Sequence, residues 1–139
     1  MKKLYLFLFV AIAAVSCTQK IEKADLKKLN GYWEIEEVIM PDGEKKEYKV
    51  NPTIDFFMLS GEEGFRQKVM PLLEGGYRTN GLREKMTIKQ EENKTYINYK
   101  TDHAEWKEQI LKVNEKNLVI KNEQDIEYHY KREEPFTEK

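Results

Sequence analysis

From Tyr32 to Arg132 the chain is a succession of short apolar–polar alternations with period two, broken every few residues by Gly, Pro, Asn or Asp. Tyr32 to Met40 runs into Pro41-Asp42-Gly43, where proline presets one dihedral and glycine accepts a positive φ. Lys46 to Val50 reads as a short polar strand, ended by Asn51-Pro52, and Thr53 to Leu59 as an aromatic, β-branched one. Ser60-Gly61 and Gly64 mark the next turn, and Phe65 to Met70 continues to Pro71. Leu72 to Leu82 surrounds Tyr77-Arg78-Thr79 with Gly75, Gly76 and Gly81, and reads as a short strand or an irregular flap. Leu82, Glu84, Met86, Ile88 and Gln90 then alternate with Arg83, Lys85, Thr87 and Lys89. Thr95 to Lys100 pairs with that strand through the turn Glu91 to Lys94. Glu105 to Val113, Leu118 to Lys121 and Ile126 to Arg132 complete the set.

Nine or ten such strands without a long helix between them predict an all-β domain, as a closed antiparallel barrel or a sandwich. Closure is favoured because it removes the exposed edges that a long meander leaves. The expected architecture is a small antiparallel up-and-down barrel of about eight to ten strands. A short N-terminal helix precedes it, with Ile21, Leu26 and Leu29 on one side and Glu22, Lys23, Asp25, Lys27 and Lys28 in water. Barely two turns long, it needs a body to dock on. Gly31 ends it at the place of a glycine cap.

Ahead of this body lies a different composition. Lys2 and Lys3 form a basic start, Leu4 to Val15 an apolar run, and Ala14-Val15-Ser16 a small-residue cleavage site directly before Cys17. The apolar run is shorter than the ~20 residues that span a bilayer as a helix. Ala-Val-Ser-Cys resembles the lipobox of bacterial lipoproteins. That resemblance implies removal of residues 1–16, a diacylglycerol thioether on Cys17 and a further acyl chain, palmitate, on the new N-terminus. The alternative is an ordinary signal peptide cut near a cysteine, which would leave an unpaired exposed thiol on an exported protein. More than one acyl chain is needed for a stable anchor, since each buried methylene contributes only ~0.8 kcal/mol. Thr18, rather than Asp, follows the cysteine. By analogy with enterobacterial sorting, the expected location is the outer membrane, facing the periplasm.

The expected domain plan is then a signal peptide over residues 1–16, a lipidated cysteine with tether and short helix over 17–29, the barrel over 30–132, and a charged tail over 133–139 that is expected to be flexible. Without Lys2 and Lys3, 22 basic side chains stand against 25 acidic ones, a net charge of −3. The charges alternate without a basic block, so no clustered positive face suits nucleic acid. With one cysteine there is neither a disulfide framework nor a thiolate metal site.

Gly31-Tyr32-Trp33, after a short helix and opening the first strand, resembles the G-x-W motif of the lipocalins. In that family the tryptophan closes one end of the barrel under a basic side chain from near the last strand. The resemblance assigns barrel closure to Gly31, Trp33 and Arg132, the last through stacking and cation–π contact. Thr101-Asp102-His103 resembles the second lipocalin motif, Thr-Asp-Tyr, but three strands follow it where the family has two. The order of lipobox, tether, G-x-W strand and β body is similar to lipocalin-like lipoproteins of Gram-negative bacteria, particularly the Bacteroidetes. Trp33 also reads as the first large core residue of some other β fold.

Catalytic chemistry has no local support. His103 and His129 are the only histidines and show no HExxH-type spacing. No Gly-x-Ser-x-Gly elbow occurs, and Gly75-Gly76 precedes no helix that would cradle phosphate. Glu62-Glu63, Glu91-Glu92 and Glu133-Glu134 fall in turns or the tail as solvated charge. No catalytic residue, metal site or cofactor is assigned, and a binding module is expected rather than an enzyme.

Aromatic residues make up 12% of the chain. At alternate barrel positions, Trp33, Phe57, Tyr77, Tyr99, Trp106 and Tyr128 would either line a cavity for a small apolar or amphipathic ligand or fill the barrel themselves. Arg66 and Arg78, flanking the glycine-rich stretch, would meet a ligand carboxylate at the mouth or lie on the surface. The leading expectation is a membrane-anchored lipocalin-like carrier of such a ligand. The rivals are an accessory subunit of an envelope protein complex, and a protease inhibitor using Leu72 to Leu82 as its protruding loop.

Overall fold

The computed structural model describes residues 19–133. Residues 1–18, with Cys17 among them, and residues 134–139 lie outside the described part. A single helical turn, α1 (Lys23–Leu26), passes into a 3₁₀ turn (Lys27–Leu29). Nine strands follow: β1 (Gly31–Ile39), β2 (Lys45–Glu47), β3 (Ile54–Ser60), β4 (Glu63–Pro71), β5 (Tyr77–Glu91), β6 (Lys94–Lys100), β7 (Glu105–Val113), β8 (Asn117–Lys121) and β9 (Glu127–Arg132).

Each strand from β3 to β9 pairs antiparallel with its sequence neighbour. β1 pairs β3 along one edge and β9, from Trp33↔Arg132 to Ile39↔Glu127, along the other. That last pairing closes an eight-stranded up-and-down barrel, the all-β architecture expected from the alternation. β2 adds to the distal part of β1, at Glu37 to Ile39, on the edge whose first residues pair β3. No helix among the described residues is long and apolar enough to cross a membrane.

Alternation sends one face of each strand inward. Trp33, Phe57, Met86, Ile97, Tyr99, Ile110, Leu118 and Ile120 are at most 1% exposed and form one core. Bulges adjust the phase where strict alternation would fail. The irregularity between Ile35 and Glu37 returns Val38 to burial, and one between Ile110 and Lys112 does the same for Val113. The largest lies between β4 and β5. Gln67 pairs Arg83 and Val69 pairs Thr79, so Lys68 alone opposes residues 80–82, with Gly81 at φ 79°. The stretch Leu72 to Leu82 is therefore neither a separate strand nor a flap. It is the turn and bulged first part of a 15-residue strand.

The two ends differ. One carries short turns at residues 61–62, 92–93 and 114–116, and the N-terminal segment crosses it. Ile21, Leu26 and Leu29 of that segment join the barrel core. The other end carries the longer connections, residues 40–53, 72–76, 101–104 and 122–126. The first is closed and the second open. Leu29 is fully buried at the closed end, so Leu29→Ala should destabilise the domain by about 2–5 kcal/mol. A urea titration of the two proteins checks this.

Candidate functional site

The closed end is fastened by one side chain. Arg132 leaves the last residue of β9, and its guanidinium carbon lies 4.1 Å from the Trp33 ring centroid. Its Nε donates to Glu115 O at 2.6 Å, Nη1 to Asn30 O at 2.7 Å, and Nη2 to Lys28 O. Trp33 Nε1 donates to Leu29 O at 2.8 Å, so the indole is held edge and face. Gly31 has φ 125°, and a Cβ there would stand 2.7 Å from Arg132 Nη1. The glycine thus gives the guanidinium its passage. Partial burial lowers the Arg132 pKa, against the pull of Glu115.

Toward the open end the inward positions carry charge. In register, Phe57 of β3 pairs Arg66 of β4, which pairs Glu84 of β5, and Glu108 of β7 lies on the inward side with Ile110. Arg66 grips Glu84 bidentately, Nε to Oε1 at 2.8 Å and Nη2 to Oε2 at 3.0 Å. Its Nη1 donates to Glu108 at 3.1 Å and to the Tyr99 hydroxyl at 3.3 Å. Asp55, 2% exposed, takes Lys68 Nζ at 2.9 Å.

Burial opposes the Arg66 charge, but Tyr99, Glu84 and Glu108 more than offset it, and the pKa lies above the ordinary arginine value. Burial raises Glu108 above the usual carboxylate range, although Arg66 and Tyr99 pull it down. Burial also pushes Tyr99 and Tyr130 well up. Arg66, Glu84, Glu108 and Tyr99 thus satisfy one another, while buried Asp55 Oδ1 has the ion pair to Lys68 and no hydrogen bond.

The expected aromatic lining divides accordingly. Phe57 and Tyr99 are packed with Trp33 in the core, and Trp106 and Tyr128 are partly buried against it. Trp106 stacks on Tyr99 at 5.3 Å between centroids. These rings fill the barrel. Tyr77 is not inside: it stacks on Tyr32 at 3.9 Å, and Tyr32 faces outward because its neighbour Trp33 faces inward. Tyr77 has the parity of Thr79 and Arg83, opposite to that of inward Glu84 and Met86. Arg78 is exposed on the β4–β5 hairpin opposite Met70, while Arg66 is engaged inside with Glu84 and Glu108. The two arginines do not form a pair at the mouth. His103 is exposed in the turn 101–104, and His129 is partly buried with Nε2 unpartnered. No cluster of His, Cys, Asp or Glu suited to a metal occurs among the described residues.

The open end does hold a cleft. β5 meets β6 only from Lys85↔Lys100 onward, so residues 80–84 stand free of β6 and leave a notch beside the turn 101–104. The notch encloses about 710 Å³, with Lys68, Leu82, Arg83, Lys85, Lys100 and His103 among its walls. Lys85 and Lys100 are direct cross-strand partners, a like-charge pairing that costs stability unless an anion joins them. Lys100 also meets the exposed Glu105 at 3.4 Å. Leu82, 73% exposed, supplies an apolar wall.

Sequence reasoning singled out neither this notch nor Asp55, Glu84, Glu108 and Tyr130. The signal was present in part: Glu84 shares a parity with Met86 and Ile88, and Glu108 with Trp106 and Ile110. The notch depends on where β5–β6 pairing begins.

No family model matches the sequence, and no curated protein matches it. Among solved structures, a lipocalin-like protein from Bacteroides uniformis ATCC 8492 is similar with a TM-score of 0.48 and 10% identity, over 76% of this chain and 99% of that one. A protein from Bacteroides eggerthii DSM 20697 gives 0.48 and 12% over the same shares. Apocrustacyanin C2 gives 0.47 and 10%, over 81% of this chain and 64% of that one.

Two stability measurements test the geometry. Arg132→Met should cost about 2 kcal/mol through lost charge-assisted bonds and cation–π contact, with a shift in Trp33 emission. Arg66→Met should cost about 3–5 kcal/mol at pH 8 by leaving Glu84 and Glu108 facing each other uncompensated. The sign with pH follows from the Glu108 carboxyl, whose folded pKa burial raises and Arg66 pulls down. The unfolded chain then releases its protons first, so the deficit grows as pH rises above the ordinary carboxylate range and shrinks below it. Urea midpoints at pH 4 and pH 8 read it directly. A deficit equal at both pH values would contradict the network.

Proposed function

We propose that this chain is a lipid-anchored, non-enzymatic binding protein of the bacterial envelope, built on a lipocalin-like barrel and taking a small anionic amphipathic molecule at the open-end notch. Cys17 carries the acyl chains, as the lipobox resemblance implies, and the outer membrane is the proposed anchor. The observation that carries the binding reading is the Lys85–Lys100 pair beside Leu82 and His103 in a notch of about 710 Å³. A carboxylate or phosphate would sit between the lysines, and an apolar tail would lie along Leu82. The ligand does not enter deeply, because Phe57, Tyr99 and the Arg66 network occupy the interior. Envelope location fits a chain whose only cysteine would be consumed by acylation.

A second reading has its own observation. The outer face of β1, β3 and β4 carries Tyr32, Phe56 and Phe65, with Tyr77 stacked over Tyr32 and Arg83 over Phe65 at 4.1 Å. Met58 on the same face is 44% exposed. Such a patch suits an envelope protein partner, which would make the chain an accessory subunit.

The test is a titration of residues 18–139 with a dansylated eleven-carbon fatty acid and with its neutral methyl ester. The acid should bind more tightly than the ester. Lys85→Glu combined with Lys100→Glu should weaken it at least tenfold while leaving the urea midpoint near wild type. Equal binding of acid and ester, or no effect of the double reversal, would overturn the notch reading and favour the accessory one.

A further inference from the structure

We infer that the closed end of the barrel lies directly against the phospholipid headgroups of the supporting membrane, with the open mouth held away from it. The inference rests on acylation of Cys17, proposed above. It follows from where the chain first becomes fixed. Gln19 N donates to Leu111 O at 2.8 Å, and Gln19 Oε1 accepts from Val113 N at 3.1 Å. Two residues on, Ile21 is 5% exposed in the core, and Gln90 Nε2 donates to its carbonyl at 2.8 Å. The segment expected as tether is thus part of the folded body from Gln19 onward.

Cys17 precedes Gln19 by two residues. Two residues reach at most about 7 Å, so the acylated sulfur cannot stand far from the end of β7. Val113, the last residue of β7, is at the closed end beside the turns 92–93 and 114–116. The seven residues of β6 that run from there to the turn 101–104 rise about 20 Å. A reach of about 7 Å cannot invert a body about 20 Å tall. The tether is too short to let the mouth face the bilayer.

Surface chemistry agrees with apposition rather than insertion. Around the closed end, exposed Lys20, Lys23, Lys27 and Lys94 alternate with Glu22 and Glu92, a mixture suited to zwitterionic phosphate and amine headgroups. The strongly exposed apolar side chains, Val50 at 86%, Leu73 at 93% and Leu82 at 73%, belong to the connections and strand start at the open end. A ligand therefore reaches the notch from the aqueous side, not out of the leaflet that holds the anchor.

The test uses the full chain, processed in a bacterial envelope and reconstituted in phosphatidylethanolamine–phosphatidylglycerol vesicles. Acylation consumes the thiol of Cys17, so Lys94→Cys, His103→Cys or Leu73→Cys each offers a single labelling site. A fluorophore at each is quenched by headgroup-spin-labelled lipid. Quenching at residue 94 should exceed that at 103 and 73 at least threefold, and twelve Gly/Ser residues inserted between Thr18 and Gln19 should abolish the difference. Equal quenching at all three sites of an acylated chain, or stronger quenching at 73 or 103, would overturn the orientation alone. Intact mass separates the other case: an unmodified Cys17 overturns the acylation reading and the orientation with it.

Discussion

Arg132 joins the end of β9 to the β7–β8 turn and to the start of β1 with the helical turn before it, some hundred residues away in sequence. From the end of β9 it stacks on Trp33 in β1, bonds the carbonyls of Lys28 and Asn30 where the helical segment ends, and bonds Glu115 in the β7–β8 turn. Ring closure needs β1 and β9 to meet in register, and this side chain sits at the first rung of that pairing, Trp33↔Arg132. A lysine could supply the charge but not three donors in a planar fork with a face to stack. The rest of the closed end follows. With the indole pinned between Leu29 O and the guanidinium, Leu26 and Leu29 have a floor to pack on, and a helical segment too short to persist alone becomes the barrel's plug.

The interior uses the opposite logic above that floor. An apolar filling would be the simpler core, since a buried ion pair is often no more stable than well-packed hydrophobic residues. Arg66, Glu84 and Glu108 instead define a geometry. Bidentate contact fixes β4 against β5, and the Glu108 contact reaches across to β7. Charges at these positions penalise a slip of one residue, which would turn each of them out and drive its neighbour in. Their cost also explains why the barrel holds no deep apolar cup: the space that an apolar ligand would take is already polar, paired and full.

Ring order and closure were legible because alternation is strong where strands are regular. β6 and β7 carry Ile97, Tyr99 and Ile110 inward with polar neighbours between them. The site was much less legible, because it depends on register and on where pairing begins rather than on alternation. Tyr77 stands nine positions before Met86, so alternation counted back from that inward residue turns it outward, and the two extra residues at the β4–β5 bulge leave that parity unchanged. Arg66 and Arg78 look like twins flanking a glycine-rich loop, yet one is inside the barrel and the other on a hairpin in solvent. Glu84 and Glu108 sat at inward parity in plain sight; only the register that sets Arg66 beside Glu84 shows why charge is tolerated there.

The barrel is polar along its axis as well as in its side chains. Two-residue connections such as Glu92-Asn93, both at positive φ, keep the strand ends paired at the closed end, where β5 and β6 match through Glu91↔Lys94. At the other end, β5 outruns its partner β6 and leaves the backbone of residues 80–84 and the Leu82 side chain without a neighbour on that side. An unmatched strand end is a liability unless something occupies it. The asymmetry that lets Arg132 and the N-terminal segment seal one end leaves the proposed notch at the other. The rim of that notch draws its charges from β4, β5, β6 and one turn, while Arg66, Glu84 and Glu108 inside the barrel are committed to each other.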